Sequence, residues 1–265
     1  MSVKDESLTL VEHLAELRNR IMYTLVFLVI GVIVGFVFAK DIIEFLIRDM
    51  TDLNVFRPMD TIRVYMQIAV YVGIVIALPM ALFQVWSFVK PALTPIERKN
   101  TVWFIPAAVI LFVIGASFAY FGIFPFMWDF LTGFTESMDK VHNVIGLQEF
   151  VGFIMNLVVP FGLLFEMPIV VIFLTKIRIV NPPRLRKFRK MAYLALILVA
   201  TTITPPDFFS AIAVYFPLIG LYEISILLSA VIYKKQLAKE AEFEDEYEDE
   251  DDDDDDDENE EEKDK

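Results

Sequence analysis

"MAYLALILVATTITPPDFFSAIAVYFPLIGLYEISILLSAVIY", residues 191–233, decides how many times this chain crosses a bilayer. The paired prolines of "TPPD" at 204–207 end a helix and turn the chain, because proline lacks the N–H that a continuing helix needs and restricts the residue before it. The stretch therefore reads as two short spans joined by a tight turn, rather than one long span with a re-entrant piece. The first arm, 191–204, reaches only about 21 Å against a hydrocarbon core of about 30 Å. Either the bilayer thins there or the helix lies against protein. The arms of a tight hairpin reach similar depths, which places Glu223 near the inner surface.

Working outward, four longer apolar runs precede this hairpin, roughly 21–39, 64–86, 102–125 and 150–175. Each is long enough to span, since about 20 helical residues suffice. The sequence thus predicts an all-α integral membrane protein of six transmembrane helices, the last two short. With the N-terminus inside, 18 of the 23 Lys/Arg lie on the inner side and five on the outer, and the positive-inside rule assigns both termini to the cytoplasm. Seven of the 18 lie in "KIRIVNPPRLRKFRK", 176–190. Their main reading is topogenic, and contact with anionic headgroups is the alternative. Prolines 79, 106, 160, 168 and 217 fall within the spans, where each frees a carbonyl that neighbouring groups must satisfy, so bent, mutually packed helices are expected.

Composition agrees with this class. The chain has 265 residues, 56% of them hydrophobic and 25 of them Phe, too apolar for one soluble domain. The net charge of -14 comes from the end of the chain, since 20 of the 37 Asp/Glu lie in 240–265. Residues 1–239 carry a net positive charge. Three parts follow: an amphipathic cytoplasmic segment at 1–20, a six-helix membrane domain at 21–233 and a self-repelling, disordered acidic tail at 234–265. The first apolar run has no small-residue cleavage site followed by a polar region, so it reads as a retained helix. The lack of an Arg/Ser-rich transit segment favours a prokaryotic membrane. With no Cys and only His13 and His142, thiol chemistry and a His-rich metal site have no residues to build on, and no metal or cofactor is expected. No nucleophile–base pair suggests an enzyme.

Three places could carry function. In "VEHLAELRNR", 11–20, Glu12 and Glu16 repel at i, i+4 while Glu16 and Arg20 pair at i, i+4 for a few tenths of a kcal/mol. Leu10, Leu14 and Leu17 recur at helical spacing, so this segment would lie along the membrane surface. In "FVKPALTPIERKN", 88–100, Thr94, Pro95 and Glu97 fit N-cap, N1 and N3 of a capping box, which accounts for Glu97 structurally. The same geometry leaves a carboxylate beside Phe88, suited to receiving a cationic peptide. In "FGLLFEMPIVV", 161–171, Glu166 sits deep in the fourth span, where a lipid-facing charge costs several kcal/mol, so it must be neutral, paired or turned to a wet cavity. One reading bonds its carboxyl to the Leu164 carbonyl freed by Pro168. Gln67, Gln84 and Asn156 read as helix–helix glue.

"HLAELRNR" before the first span, "FVKPALTPIER" after the second, "FGLLFEMP" in the fourth, and "TPPD" with "FPLIGLYEIS" in the last two together resemble the TatC family, the large subunit of the twin-arginine protein translocase. The resemblance runs from about residue 8 to 235. It implies a receptor for signal peptides bearing two adjacent arginines. Together with small single-span TatA/TatB-type subunits, such a receptor exports folded proteins using the proton-motive force. It further implies that Glu16 and Glu97 receive the arginine pair, whose planar guanidinium forks match carboxylate oxygens as lysine cannot. Arg18, Arg20 and Phe88 match positions shaping that surface, and Glu166 matches an intramembrane polar position used in partner docking or translocation. Ala211 departs from relatives that carry glutamine there. The implied partners are signal peptides, single-span subunits, membrane lipids and further copies of the chain, with no nucleic acid. A proton-coupled small-solute transporter using Glu166 is the alternative, against which stands the lack of an inverted repeat.

Overall fold

The structure is a computed structural model that describes residues 10–48, 50, 53–89, 104–136, 144–205 and 207–261, with side chains placed over 15–48, 50, 53–88, 104–133, 144–205 and 207–238. Its helices are α1 (Leu10–Leu46), α2 (Pro58–Val89), α3 (Phe104–Phe118), α4 (Phe124–Glu136), α5 (Leu147–Phe165), α6 (Met167–Lys176), α7 (Pro182–Lys187), α8 (Arg189–Ile203) and α9 (Phe208–Glu261). A π-helical turn, Ala119–Ile123, joins α3 to α4. Five stretches are long and apolar enough to cross a membrane: Ala15–Leu46, Pro58–Phe88, Phe104–Gly133, Leu147–Lys176 and Phe208–Ala238. Each is longer than its apolar run in the sequence. α8, at 15 residues, is not among the five.

α1 is unbroken from Leu10 to Leu46, so residues 10–20 and the first apolar run form one continuous helix. α2 starts on Pro58, and Asp60 accepts from the Arg57 backbone N–H at 2.9 Å, satisfying a donor the helix start leaves open. α1 and α2 pack backbone to backbone. A Cβ added at Gly73 would stand 2.6 Å from Val32 Cγ2, and one at Gly35 2.8 Å from the Ala69 carbonyl. A second close approach joins α3 and α5, where Gly115 lies under Phe165 and Gly162 under Phe112. Small residues at these crossings let helices meet without a hydrophobic effect to drive them.

The fourth span is broken at Glu166, between α5 and α6. Pro168 has no N–H to offer Leu164, so the turn tightens, the Glu166 N–H bonding Leu163 O at 3.1 Å, and the helix resumes with Val170 N–H to Glu166 O at 3.0 Å. Pro79, Pro160 and Pro217 lie inside α2, α5 and α9. α6 ends with Arg178 in the left-handed region (φ 62°), and the Ile179 N–H reaches Leu174 O at 3.0 Å. That bond is the six-to-one closure usually served by glycine.

"TPPD" turns the chain as read. Asp207 accepts from the Ser210 N–H at 2.6 Å and opens α9. α9's backbone is helical across the expected boundary at 234 to Glu261, consistent with the helix-forming Lys, Gln, Ala and Glu of 234–248.

Two buried clusters hold these helices. One joins Ala39, Ile43, Val64, Ile68, Phe150, Val151 and Ile154 of α1, α2 and α5. The other joins Ile123, Met127, Leu157, Phe161, Leu196, Val214 and Leu218, packing α8 and α9 on α4 and α5. α5 belongs to both and is the central post. A two-residue parallel pairing, Leu53 with Ile145 and Asn54 with Gly146, ties the α1–α2 connection to the start of α5.

Candidate functional site

Glu16 and Arg20 sit near the start of α1, one turn apart. Arg20 Nε donates to Glu16 Oε1 at 3.2 Å and its Nη2 binds the same oxygen, while Nη1 reaches Gln84 Oε1 at 3.4 Å and the Gln84 carbonyl at 3.5 Å. One guanidinium thus joins a carboxylate on α1 to the last turns of α2. Arg18, on the other side of α1, is exposed. Beside the bridge opens an apolar groove of about 470 Å³ between α1 and α2, with Leu17, Leu25, Leu28, Ile74 and Leu78 along it and Arg20, Gln84 and Phe88 at its polar end. The structure therefore brings Glu16, Arg20 and Phe88 to one mouth. Glu97 and its capping box lie outside the described residues.

Glu166 is 5% exposed, and neither carboxyl oxygen has a hydrogen-bond partner among the described residues. The bond to the Leu164 carbonyl, one reading of the sequence, is not formed. A carboxyl so placed is costly to ionise and has donor or acceptor capacity to offer a visitor.

Sequence reading missed a third constellation. Glu223 on α9 accepts from Arg189 Nη2 at 2.6 Å and from the Tyr193 hydroxyl at 2.5 Å, both on α8, and the Tyr222 hydroxyl donates to Leu185 O at 2.9 Å. The signal was available: Arg189 and Tyr193 stand at i, i+4 on an arm that must face Glu223. The glue residues act as expected in two cases, Gln84 holding Arg20 and Asn156 accepting from Tyr71 at 2.5 Å across α2 and α5. Thr175 and Ser229 share a buried hydroxyl pair at 2.7 Å between α6 and α9.

The family described as Sec-independent protein translocase protein (TatC) matches residues 12–217. This chain belongs to the TatC family. It is 42% identical over 248 residues to Sec-independent protein translocase protein TatCy of Bacillus subtilis (strain 168), covering 92% of this chain and 97% of that relative. It is 33% identical over 233 residues to TatC of Aquifex aeolicus (strain VF5), covering 86% and 97%. A crystal structure of the twin arginine translocase receptor TatC superposes with a TM-score of 0.75 at 32% identity, covering 83% of this chain and 99% of that one. As a TatC protein the chain is a multi-pass membrane component of a bacterial protein-transport system. Membership displaces the small-solute transporter reading.

Proposed function

We propose that this chain is the signal-peptide receptor and core subunit of a twin-arginine translocase, with six spans and both termini in the cytoplasm. α8 is the fifth span; its 15 residues reach about 22 Å, which a thinned bilayer accommodates. The observation that carries the receptor reading is the mouth at Glu16, Arg20, Gln84 and Phe88, where a polar bridge opens onto an apolar groove. A signal peptide has the matching order of chemistry, a cationic pair followed by an apolar run. Its arginines take Glu16 and Glu97, and its apolar run lies along the α1–α2 groove.

The Glu16 carboxylate suits exchange because its bond to Arg20 lies within one helical turn. A carboxylate has about four lone-pair sites, so an incoming guanidinium can share it with Arg20 or displace it. Arg20, tied to Gln84, orients the acid toward α2, and Phe88 borders the entry, while Arg18 stands on the opposite side of α1. Glu166 docks a polar group from a single-span partner helix of the TatA/TatB type, and several copies of the complex assemble to pass folded cargo at the expense of the proton-motive force. Site-specific crosslinking tests the receptor reading: a photo-reactive group at Leu17 or Phe88 should capture an Arg-Arg signal peptide and release most of that yield when the pair is Lys-Lys. Equal capture of both peptides would sink it.

A further inference from the structure

The basic segment between α6 and α8 carries seven cations, and four of them, Arg184, Arg186, Lys187 and Lys190, have no ion-pair partner among the described residues. Of its cations, Arg189 is paired with Glu223, and Lys176 lies 5.1 Å from the Phe104 ring centroid. Arg184 is exposed and donates to the Ile179 carbonyl at 3.0 Å, which braces the loop and neutralises nothing. Arg186, Lys187 and Lys190 are exposed and have no ion-pair partner among the described residues. Four like charges within seven residues repel one another unless anions come between them.

The apolar side chains woven between them say which anions. Phe188 is 53% exposed, Met191 65% and Leu194 55%. They follow the cations directly and continue along the exposed side of α8, which faces lipid on the six-span reading proposed above. A soluble polyanion would leave these side chains in water, whereas a lipid covers them with acyl chain while its phosphate meets the guanidinium and ammonium groups. The shortness of α8 strengthens the match: cations at its first turn are drawn toward the hydrocarbon boundary, the depth at which phosphodiesters sit.

We propose that Arg184, Arg186, Lys187 and Lys190, with Phe188 and Met191 beneath them, form a binding site for the phosphodiester headgroup of an anionic phospholipid. The site is built on the α7–α8 junction: Asn181 Oδ1 accepts from the Arg184 N–H at 3.0 Å, and the Tyr222 bond to Leu185 O fixes the junction against α9. It is separate from the α1–α2 mouth and does not depend on what the mouth binds. A rival occupant lies in the same chain. Gln236 donates to the Lys176 carbonyl at 3.0 Å, so α9 passes this loop shortly before the acidic stretch begins at Glu240.

The test is reconstitution of the full chain in phosphatidylcholine nanodiscs with spin-labelled phosphatidylglycerol or spin-labelled phosphatidylcholine, reading the motionally restricted fraction of each. Because both leaflets are alike in a nanodisc, the result does not rest on the orientation proposed above. The expected result is a phosphatidylglycerol preference of roughly fivefold or more, falling close to one in Arg186→Gln/Lys187→Gln/Lys190→Gln and retained in Arg186→Lys. Excess inorganic phosphate should leave the preference in place. An unchanged preference in the triple variant overturns the proposal. Loss of the preference to inorganic phosphate overturns it in favour of a soluble phosphate site. A preference that emerges only after truncation following Lys239 assigns the loop to the acidic stretch instead.

Discussion

The α1–α2 pair and the α8–α9 hairpin each carry a glutamate bound by an arginine near one end, yet the two bridges are built differently. Glu223 is gripped from another helix by Arg189 and Tyr193, residues 34 and 30 positions away in sequence. Glu16 is held by Arg20 on its own helix, four residues on. A bridge between helices costs packing when it breaks, because the hairpin must open or leave a half-buried charge without its cation. A bridge within one turn is worth a few tenths of a kcal/mol and re-forms without moving the backbone. The Glu223 pair therefore clamps two helices through the carboxylate itself, whereas the Glu16–Arg20 contact can exchange while Arg20 keeps its bonds to Gln84. The surroundings follow suit: the hairpin packs into a buried cluster, while the α1–α2 bridge faces an open apolar groove.

The sharpest way to break this comparison is Glu16→Gln with Glu97→Gln. Each substitution removes a charge-assisted contact of about 1.5–3 kcal/mol, so affinity for an Arg-Arg signal peptide should fall by roughly a hundredfold or more. Titration calorimetry or fluorescence anisotropy reads it. Unchanged affinity in the folded double variant would falsify the exchangeable-contact account.

Glu166, which has neither kind of partner among the described residues, tests what such a carboxyl is for. If it docks a partner helix, Glu166→Ala should lower export of a folded reporter about tenfold, the effect of one lost buried hydrogen bond, and Glu166→Gln should keep much of the activity. A Gln variant as inactive as Ala, with signal and partner binding intact, would point to proton transfer.

Gly73→Leu asks whether the groove depends on the close crossing of α1 and α2. With a Cβ already 2.6 Å from Val32, the helices must part, at a cost of about 1–3 kcal/mol in stability and with a distorted mouth. Thermal unfolding in detergent and signal-peptide affinity should both fall, the first more than the second. Equal stability to the parent protein would mean that the helices accommodate the bulk elsewhere.

Glu223→Gln should be the mirror of the first variant: about 1 kcal/mol less stable, since the tyrosine bond survives and the partly exposed ion pair does not, and unchanged in signal binding. A loss of signal binding would erase the distinction between clamp and contact. The smallest effect is expected from truncation after Lys239, which should leave export of a reporter largely intact; abolished signal binding would make the acidic stretch part of the receptor.

What the sequence by itself determined is what local sums can carry. Hydropathy over some 20 residues locates the long spans, because transfer from water to hydrocarbon adds residue by residue. The prolines of "TPPD" and Pro168 mark the turn and the break at Glu166, because a missing N–H acts on its own helix. Four motifs in order placed the chain beside its family, and Glu16 with Arg20 was legible as an i, i+4 pair. Only the tertiary structure decided which distant groups meet. Arg20 reaches Gln84, Tyr71 reaches Asn156, Arg189 and Tyr193 converge on Glu223, and Leu53 pairs with Ile145. It also left Glu166 without a hydrogen-bond partner among the described residues. These outcomes turn on how each helix is rotated about its axis and where glycines let two backbones touch, and hydropathy, which is the same for every rotation of an all-apolar helix, holds no information about either.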